Sequence, residues 1–365
     1  MLDILPATEE TPRDVASLGA VDCDVHPRTP QRADLLPFLS AYWKEIFDYR
    51  GVDRLELTSY PTSTKPYGRP ELRGADENVE GLRKHLLDPL GLGAAILNVV
   101  GGVQAVYDPY MARTICEATN RWLASEWLDK DDRLRATLLV PFQHPEAAAE
   151  EIRRYADDRR FVQVLAITGT ANPLGQRFYW PIYKAAAEAG FALQLHPGSA
   201  YRHSPTQLGF PSFLVEEHAQ WTQGFANQMV SLLTEGVLDE FRDMKLVLAE
   251  SGVSWLFAVN WRLAKEWRGI RVEVPWVKDS PEVLIERQVR LTVTPFDAPP
   301  DPDSEEGQVI IDCLGSPDML LYSSDFPHAY PEPLGAWPRI LPFAHAPAIC
   351  RGNALATYPR LELPQ

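Results

Sequence analysis

The stretch Val21-Asp22-Cys23-Asp24-Val25-His26-Pro27 decides how this chain is read. Apolar residues alternate with acids and an imidazole, and a proline closes the run, the pattern of a short strand with a defined end. Side chains alternate faces along a strand. Asp22, Asp24 and His26 therefore share one face, and Val21, Cys23 and Val25 the other. The apolar set suits a layer of helices packed outside. The polar set then points inward, where three polar side chains are costly without partners. A metal ion at the strand's end removes that cost, and Asp24 and His26, two apart on one face, can both reach one ion. The bland alternative is a capping aspartate and a loop histidine before Pro27.

Working outward, seven more short apolar runs follow, at residues 94–99, 136–142, 162–168, 191–196, 245–250, 290–294 and 319–325, with the first at 20–26. Helical patterns fall between most of them. The spacing predicts helices over 108–128, opened by Asp108-Pro109 as cap and first helical residue, and over 145–157, 178–189, 252–268 and 305–314. Gly190 is placed to stop the third of these. Strands alternating with helices in this number give the α/β class and a single (β/α)8 TIM barrel over residues 1–365. Two segments are too long for ordinary connections and read as insertions after the first and fifth strands. The first is 27–92, helical over 35–49 and irregular over 60–74. The second is a long loop over 200–221. Residues 327–365 read as a proline-rich C-terminal extension.

Hydrophobic residues make up 45% of the chain, enough for a large core. No apolar run reaches the roughly 18 residues of a membrane span. The first 20 residues carry Glu9, Glu10, Arg13 and Asp14 and lack the order of a signal peptide. The formal charge of −15, with no cluster of Lys or Arg, argues against a nucleic-acid partner. Cys23, Cys116, Cys313 and Cys350 form no C-x-x-C pair and read as free thiols in a reducing compartment. A cytoplasmic location follows as the expectation. Proline clusters at 295–302 and 327–338 read as long ordered loops that cover an active site or brace an oligomer.

Three more runs end in groups that bind metals or move protons. The fifth ends Leu193-Gln194-Leu195-His196-Pro197, the sixth Leu248-Ala249-Glu250-Ser251-Gly252, and the eighth Tyr322-Ser323-Ser324-Asp325-Phe326-Pro327-His328. Catalytic groups of such barrels sit at the C-terminal ends of the strands. Any one of these residues has an ordinary structural reading, but their convergence on one rim does not. Carboxylates with imidazoles suit Zn, Mn or Fe as a divalent ion. Such an ion lowers the pKa of a bound water to about 7 and polarises a carbonyl.

These motifs, in this order, resemble the amidohydrolase superfamily. They are most similar to the amidohydrolase-related branch that includes aminocarboxymuconate semialdehyde decarboxylase and the resorcylate decarboxylases. The resemblance runs from about Val21 to His328. It implies Asp24, His26, His196 and Asp325 as metal ligands, Asp325 as a proton-handling group, and a homodimer or larger assembly. Two departures stand out. The family's decarboxylases usually carry histidine at the end of the sixth strand, where this chain has Glu250. The carbamylated lysine of binuclear relatives has no counterpart in the fourth strand. One ion is the expectation, and Asp22 and Glu250 are the residues able to support a second.

Among other polar residues, His203, His218, Arg69, Arg73 and Arg202 are candidates for the pocket whose more ordinary reading is surface. His328 is a candidate substrate contact. His144 and His85 read as structural, and Trp255, Trp261 and Trp267 as helix packing. With histidine absent at position 250, the leading expectation is a metal-dependent hydrolase acting on an amide, ester, lactone or thioester of a small, bulky, apolar molecule. Asp325, Glu250 and His328 are its expected catalytic residues. A non-oxidative decarboxylase is the alternative, and a barrel that binds a ligand without turnover is the third reading.

Overall fold

The eight runs pair in chain order into one parallel sheet: β1 (Val21–Val25), β2 (Ala94–Leu97), β3 (Leu134–Leu138), β4 (Phe161–Ile167), β5 (Ala192–His196), β6 (Leu246–Leu248), β7 (Val289–Thr292) and β8 (Leu320–Leu321). This computed structural model describes residues 15–52, 70–198, 203, 204, 206, 208–297, 305–328, 330 and 332–364. The two edges of the sheet meet. Cys23 N–H donates to Tyr322 O at 2.9 Å, Asp325 N–H to Asp24 O at 3.1 Å, and His26 N–H to Phe326 O at 2.7 Å. The (β/α)8 barrel is the fold. Every strand residue is buried, because helices cover the outside and side chains fill the inside.

The helices follow the expected alternation. They are α1 (Ala41–Arg50) in the first insertion, α2 (Pro109–Leu123), α3 (Pro145–Arg154), α4 (Trp180–Glu188), α5 (Leu214–Thr234), α6 (Ser254–Ile270), α7 (Pro281–Gln288) and α8 (Glu306–Leu314). Asp108 caps α2 by accepting from Tyr110 N–H at 3.0 Å and Met111 N–H at 3.1 Å. Gly190, at φ 73°, turns the chain out of α4 where an L side chain would be strained.

Two readings change. The loop expected over 200–221 is shorter, since α5 begins at Leu214. No side chain caps α5, so the sequence carries no start signal there. The expected faces of β1 are also wrong in part. Val21 and Cys23 lie not outside but in an apolar cluster with Ala94, Ile96, Val162, Ala192, Val247 and Leu321, from strands all round the barrel. Between Asp22 and Val25 three residues of β1 span two of β2, from Ala95 to Leu97. This bulge resets the alternation, so Val25 joins the outer core while Asp24 and His26 turn inward at the rim.

The C-terminal extension closes the bottom of the barrel. Ala354, Tyr358 and Leu361 complete the inner cluster. Arg360, 3% exposed, donates to the carbonyls of Phe161, Ala156, Ala189, Tyr155 and Asp158 and lies over the Phe191 ring. At the other end, Arg28 follows His26 and fixes the first insertion. It donates to both oxygens of Asp34 at 2.5 and 2.9 Å and lies over Trp122 of α2. No described helix is long and apolar enough to cross a membrane. The four cysteines are free. Arg69 and Arg202, most of 60–74 and residues 298–302 lie outside the described residues.

Candidate metal centre

Four strand ends bring acids and imidazoles together at the C-terminal rim. Asp24 and His26 come from β1, His196 from β5, Glu250 from just past β6, and Asp325 and His328 from beyond β8. Two overlapping groups result. Ligand atoms of Asp24, His26, His196 and Glu250 lie within 4.8 Å of one another, and so do those of His26, Glu250, Asp325 and His328. His26 Nε2 is central, 3.4 Å from Asp24 Oδ1, 3.3 Å from Glu250 Oε1 and 3.1 Å from Asp325 Oδ1. His196 Nε2 is 2.8 Å from Glu250 Oε1. Yet among the described residues Asp24 Oδ2, His26 Nε2, His196 Nε2 and Glu250 Oε1 are buried with no hydrogen-bond partner of good geometry. Buried polar atoms left this way are costly, and a divalent cation among them would satisfy all four. The residues fit a metal ion.

The electrostatics agree with a crowded cation site. Burial pushes the Asp24 carboxyl up to about 6, against the pull of His26 and His196. Burial disfavours charge on His26 and His196, but Asp24 chiefly, for the first, and Glu250, for the second, hold both imidazoles above their usual range. Burial also opposes charge on Glu250, yet the two imidazoles keep it well below the usual carboxylate range.

Neighbouring residues aim the ligands. Asn98, just past β2, donates its amide to Asp24 Oδ1, and Thr137 of β3 donates to the Asn98 carbonyl. Gln163 Nε2 of β4 donates to Thr137 Oγ1 at 2.9 Å. A second bulge, between β3 and β4, lets both Val162 and Gln163 face inward. His196 Nδ1 lies 2.8 Å from Pro197 O. His328 Nδ1 contacts Asp325 Oδ1 at 2.7 Å, and the Tyr330 hydroxyl donates to Asp325 Oδ2. Glu250 (φ 54°) and Asp325 (φ 52°) are the non-glycine residues with positive φ among those described. Such backbone is strained and collects at functional sites.

Asp22 lies outside both groups. Its Oδ1 accepts from Ser324 N–H at 3.0 Å and Asp24 N–H at 3.3 Å, and burial pushes its carboxyl up to about 7. It joins β1 to the β8 end below the rim. Among the described residues His203, His218 and Arg73 take no part in either group; His218 lies in α5. His144 precedes α3 and His85 lies in a helical turn of the first insertion. Trp255 stacks on Phe225, Trp267 packs against the core, and Trp261 is 61% exposed. The sequence reading missed Asn98, Thr137, Gln163 and Tyr330. Asn98 alone carried a signal, being next in phase after Ala94 and Ile96.

The sequence model of the Amidohydrolase family matches residues 7–360. The chain belongs to the amidohydrolase family. Over 229 residues this amidohydrolase is 25% identical to a gamma-resorcylate decarboxylase from Polaromonas sp., covering 60% of the chain and 68% of that relative. It is similar in fold to an amidohydrolase from Mycobacterium avium subsp. paratuberculosis, with a TM-score of 0.68 at 18% identity over 93% of this chain and 98% of that one. A dihydroxybenzoic acid decarboxylase from Polaromonas sp., with bound manganese and the inhibitor 2-nitroresorcinol, gives a TM-score of 0.63 at 21% identity over 93% and 96%. The expectation of a hydrolase is thereby overturned. It rested on the missing histidine at position 250, and relatives matched across much of the chain are decarboxylases.

Proposed function

We propose that this amidohydrolase is a divalent-metal-dependent, non-oxidative decarboxylase of an aromatic carboxylic acid. The observation that carries the reading is the ring of unpartnered, buried ligand atoms at the rim, in a chain whose relatives are gamma-resorcylate decarboxylases. Asp24, His26, His196 and Asp325 would hold the ion. Oxygen and imidazole donors suit manganese, which solved neighbours carry. When bound, the ion would supply positive charge that fixes substrate oxygens and so places the ring carbon beside the proton donor.

The chain's own residues handle the proton. Asp325 takes a proton from His328, joined to it through Nδ1, and passes it to the ring carbon that carries the carboxylate. The bond between that carbon and the carboxylate breaks, its electron pair stays on the ring, and CO₂ leaves. His328, with its side chain 43% exposed, regains a proton from solvent. One proton enters, one CO₂ departs, and nothing is oxidised.

The test is to incubate the manganese-loaded enzyme in D₂O with 2,6-dihydroxybenzoate, 5-carboxyvanillate and a panel of related hydroxybenzoates. The expected result is CO₂ in equal amount to a ring product bearing one deuterium at the vacated carbon. Asp325→Asn should lower the rate by about 100-fold or more. Metal-loaded enzyme that releases no CO₂ from any of these acids would overturn the reading.

A further inference from the structure

Position 250 holds glutamate where the family resemblance implies histidine. The Glu250 side chain points into the ligand ring rather than toward solvent. Its Oε1 is 2.8 Å from His196 Nε2 and 3.3 Å from His26 Nε2, and among the described residues it is buried without a hydrogen-bond partner of good geometry. Glu250 and His26 are the two residues common to both ligand groups.

The histidine geometry sharpens the point. His196 Nδ1 lies 2.8 Å from Pro197 O, which can only accept, so Nε2 is the nitrogen left to face Glu250. Glu250 Oε1 faces that nitrogen at 2.8 Å, so the two atoms can share one cation. The spacings around His26 and Glu250, the residues shared by the two groups, also fit. Donors about 2.1 Å from a common ion, at right angles, are about 3 Å apart. The contacts here run from 2.8 to 3.4 Å.

The backbone gives an independent sign. Glu250 and Asp325 share a left-handed conformation that non-glycine residues seldom adopt. The Glu250 N–H is held by Thr292 Oγ1 of β7 at 3.0 Å. The chain thus presents Glu250 to the rim as it presents Asp325. We infer that Glu250 is a direct ligand of the divalent ion, a fifth protein donor beside Asp24, His26, His196 and Asp325. The inference rests on the metal-dependent reading above and goes beyond it. Proton handling stays with Asp325, the rim carboxylate that His328 contacts through Nδ1.

The experiment measures binding apart from turnover. Metal-free wild type, Glu250→Gln, Glu250→Asp and, as a ligand control, Asp325→Asn are titrated with Mn²⁺ while the electron paramagnetic resonance signal of the free ion is followed. Melting of the metal-free forms checks that each is folded. Wild type should bind about one equivalent. Glu250→Gln should bind roughly 100-fold more weakly, as Asp325→Asn does, and lose most of the rise in Tm that Mn²⁺ gives wild type. Glu250→Asp, one methylene short, should fall between them and gives a second folded variant. If Glu250→Gln binds Mn²⁺ as tightly as wild type, the assignment is overturned, and a proton bridges Glu250 and His196 instead. Tight, Glu250-dependent binding in an enzyme that releases no CO₂ would leave the ligand assignment standing and remove the decarboxylase reading.

Discussion

Asn98 donates to Asp24 Oδ1, its carbonyl accepts from Thr137, and Thr137 accepts in turn from Gln163. All three are at most 2% exposed, so water does not compete for these bonds. The chain fixes Oδ1 of Asp24, the oxygen 3.4 Å from His26 Nε2, and leaves Oδ2 buried without a hydrogen bond among the described residues. Partners of this kind orient metal ligands, and their loss typically costs 10–100-fold in affinity. Asn98→Ala is therefore expected to weaken Mn²⁺ binding by about 10–100-fold while the bound ion still counts one per chain. Isothermal titration calorimetry reads both numbers, and unchanged affinity would show that Asp24 needs no such support. The acids and imidazoles that meet at the rim were legible in the sequence because they close short apolar strands, where polar residues need a reason. Asn98, Thr137 and Gln163 were not, because each is an ordinary polar residue until the barrel brings three strands together.

At the scale of elements, the strands were readable and their phase was not. Apolar, fully buried runs mark parallel strands, so all eight could be placed. The bulge in β1 depends on pairing with β2, which no local pattern encodes, and it moved Val21 and Cys23 to the inside. Asp131 shows how a distant segment is pinned in a way the sequence also hides. It accepts from Arg83 Nε at 2.7 Å, in the first insertion, and from Arg133 Nη2 at 2.9 Å, beside β3. Burial pushes its carboxyl up, but hydrogen bonds from Arg133 and Arg83 outweigh that and hold it well below the usual carboxylate range. A carboxyl depressed in the folded state contributes stability above its unfolded value of about 4, and loses it as pH falls through the folded value. Asp131→Asn should thus cost about 1–2 kcal/mol at pH 7, discounted for the partly exposed arginines. The cost should shrink steadily below about pH 4. Urea unfolding at pH 7 and pH 3 checks it, and a cost independent of pH would mean that packing, not charge, is what the carboxylate provides.

In the whole molecule the two ends of the barrel do different work. The upper rim gathers charge and strained backbone, and the lower end is closed by the last residues of the chain. The sequence reading took 327–365 as an extension, because prolines and scattered aromatics have no period and their partners are strands far away in sequence. Arg360 shows what the extension does. It spans five carbonyls at the lower ends of β4 and β5 and the turns beside them, with no carboxylate within salt-bridge reach among the described residues. Burial lowers its pKa from the usual arginine value. Its planar fork makes the bonds that would otherwise be unmade in a dry place. Removing it strands several buried carbonyls and uncovers Phe191, so Arg360→Ala should cost about 3 kcal/mol or more. Arg360→Lys keeps the charge but not the fork, and should recover only a small part of that loss. The rim lies at the opposite end of every strand. Mn²⁺ stoichiometry in the folded Arg360→Ala protein should therefore stay at about one, with the loss confined to Tm and to the urea midpoint. Metal binding that fell together with stability would show instead that floor and rim are one cooperative unit, with the C-terminal segment holding the strands in the register that the ligands need.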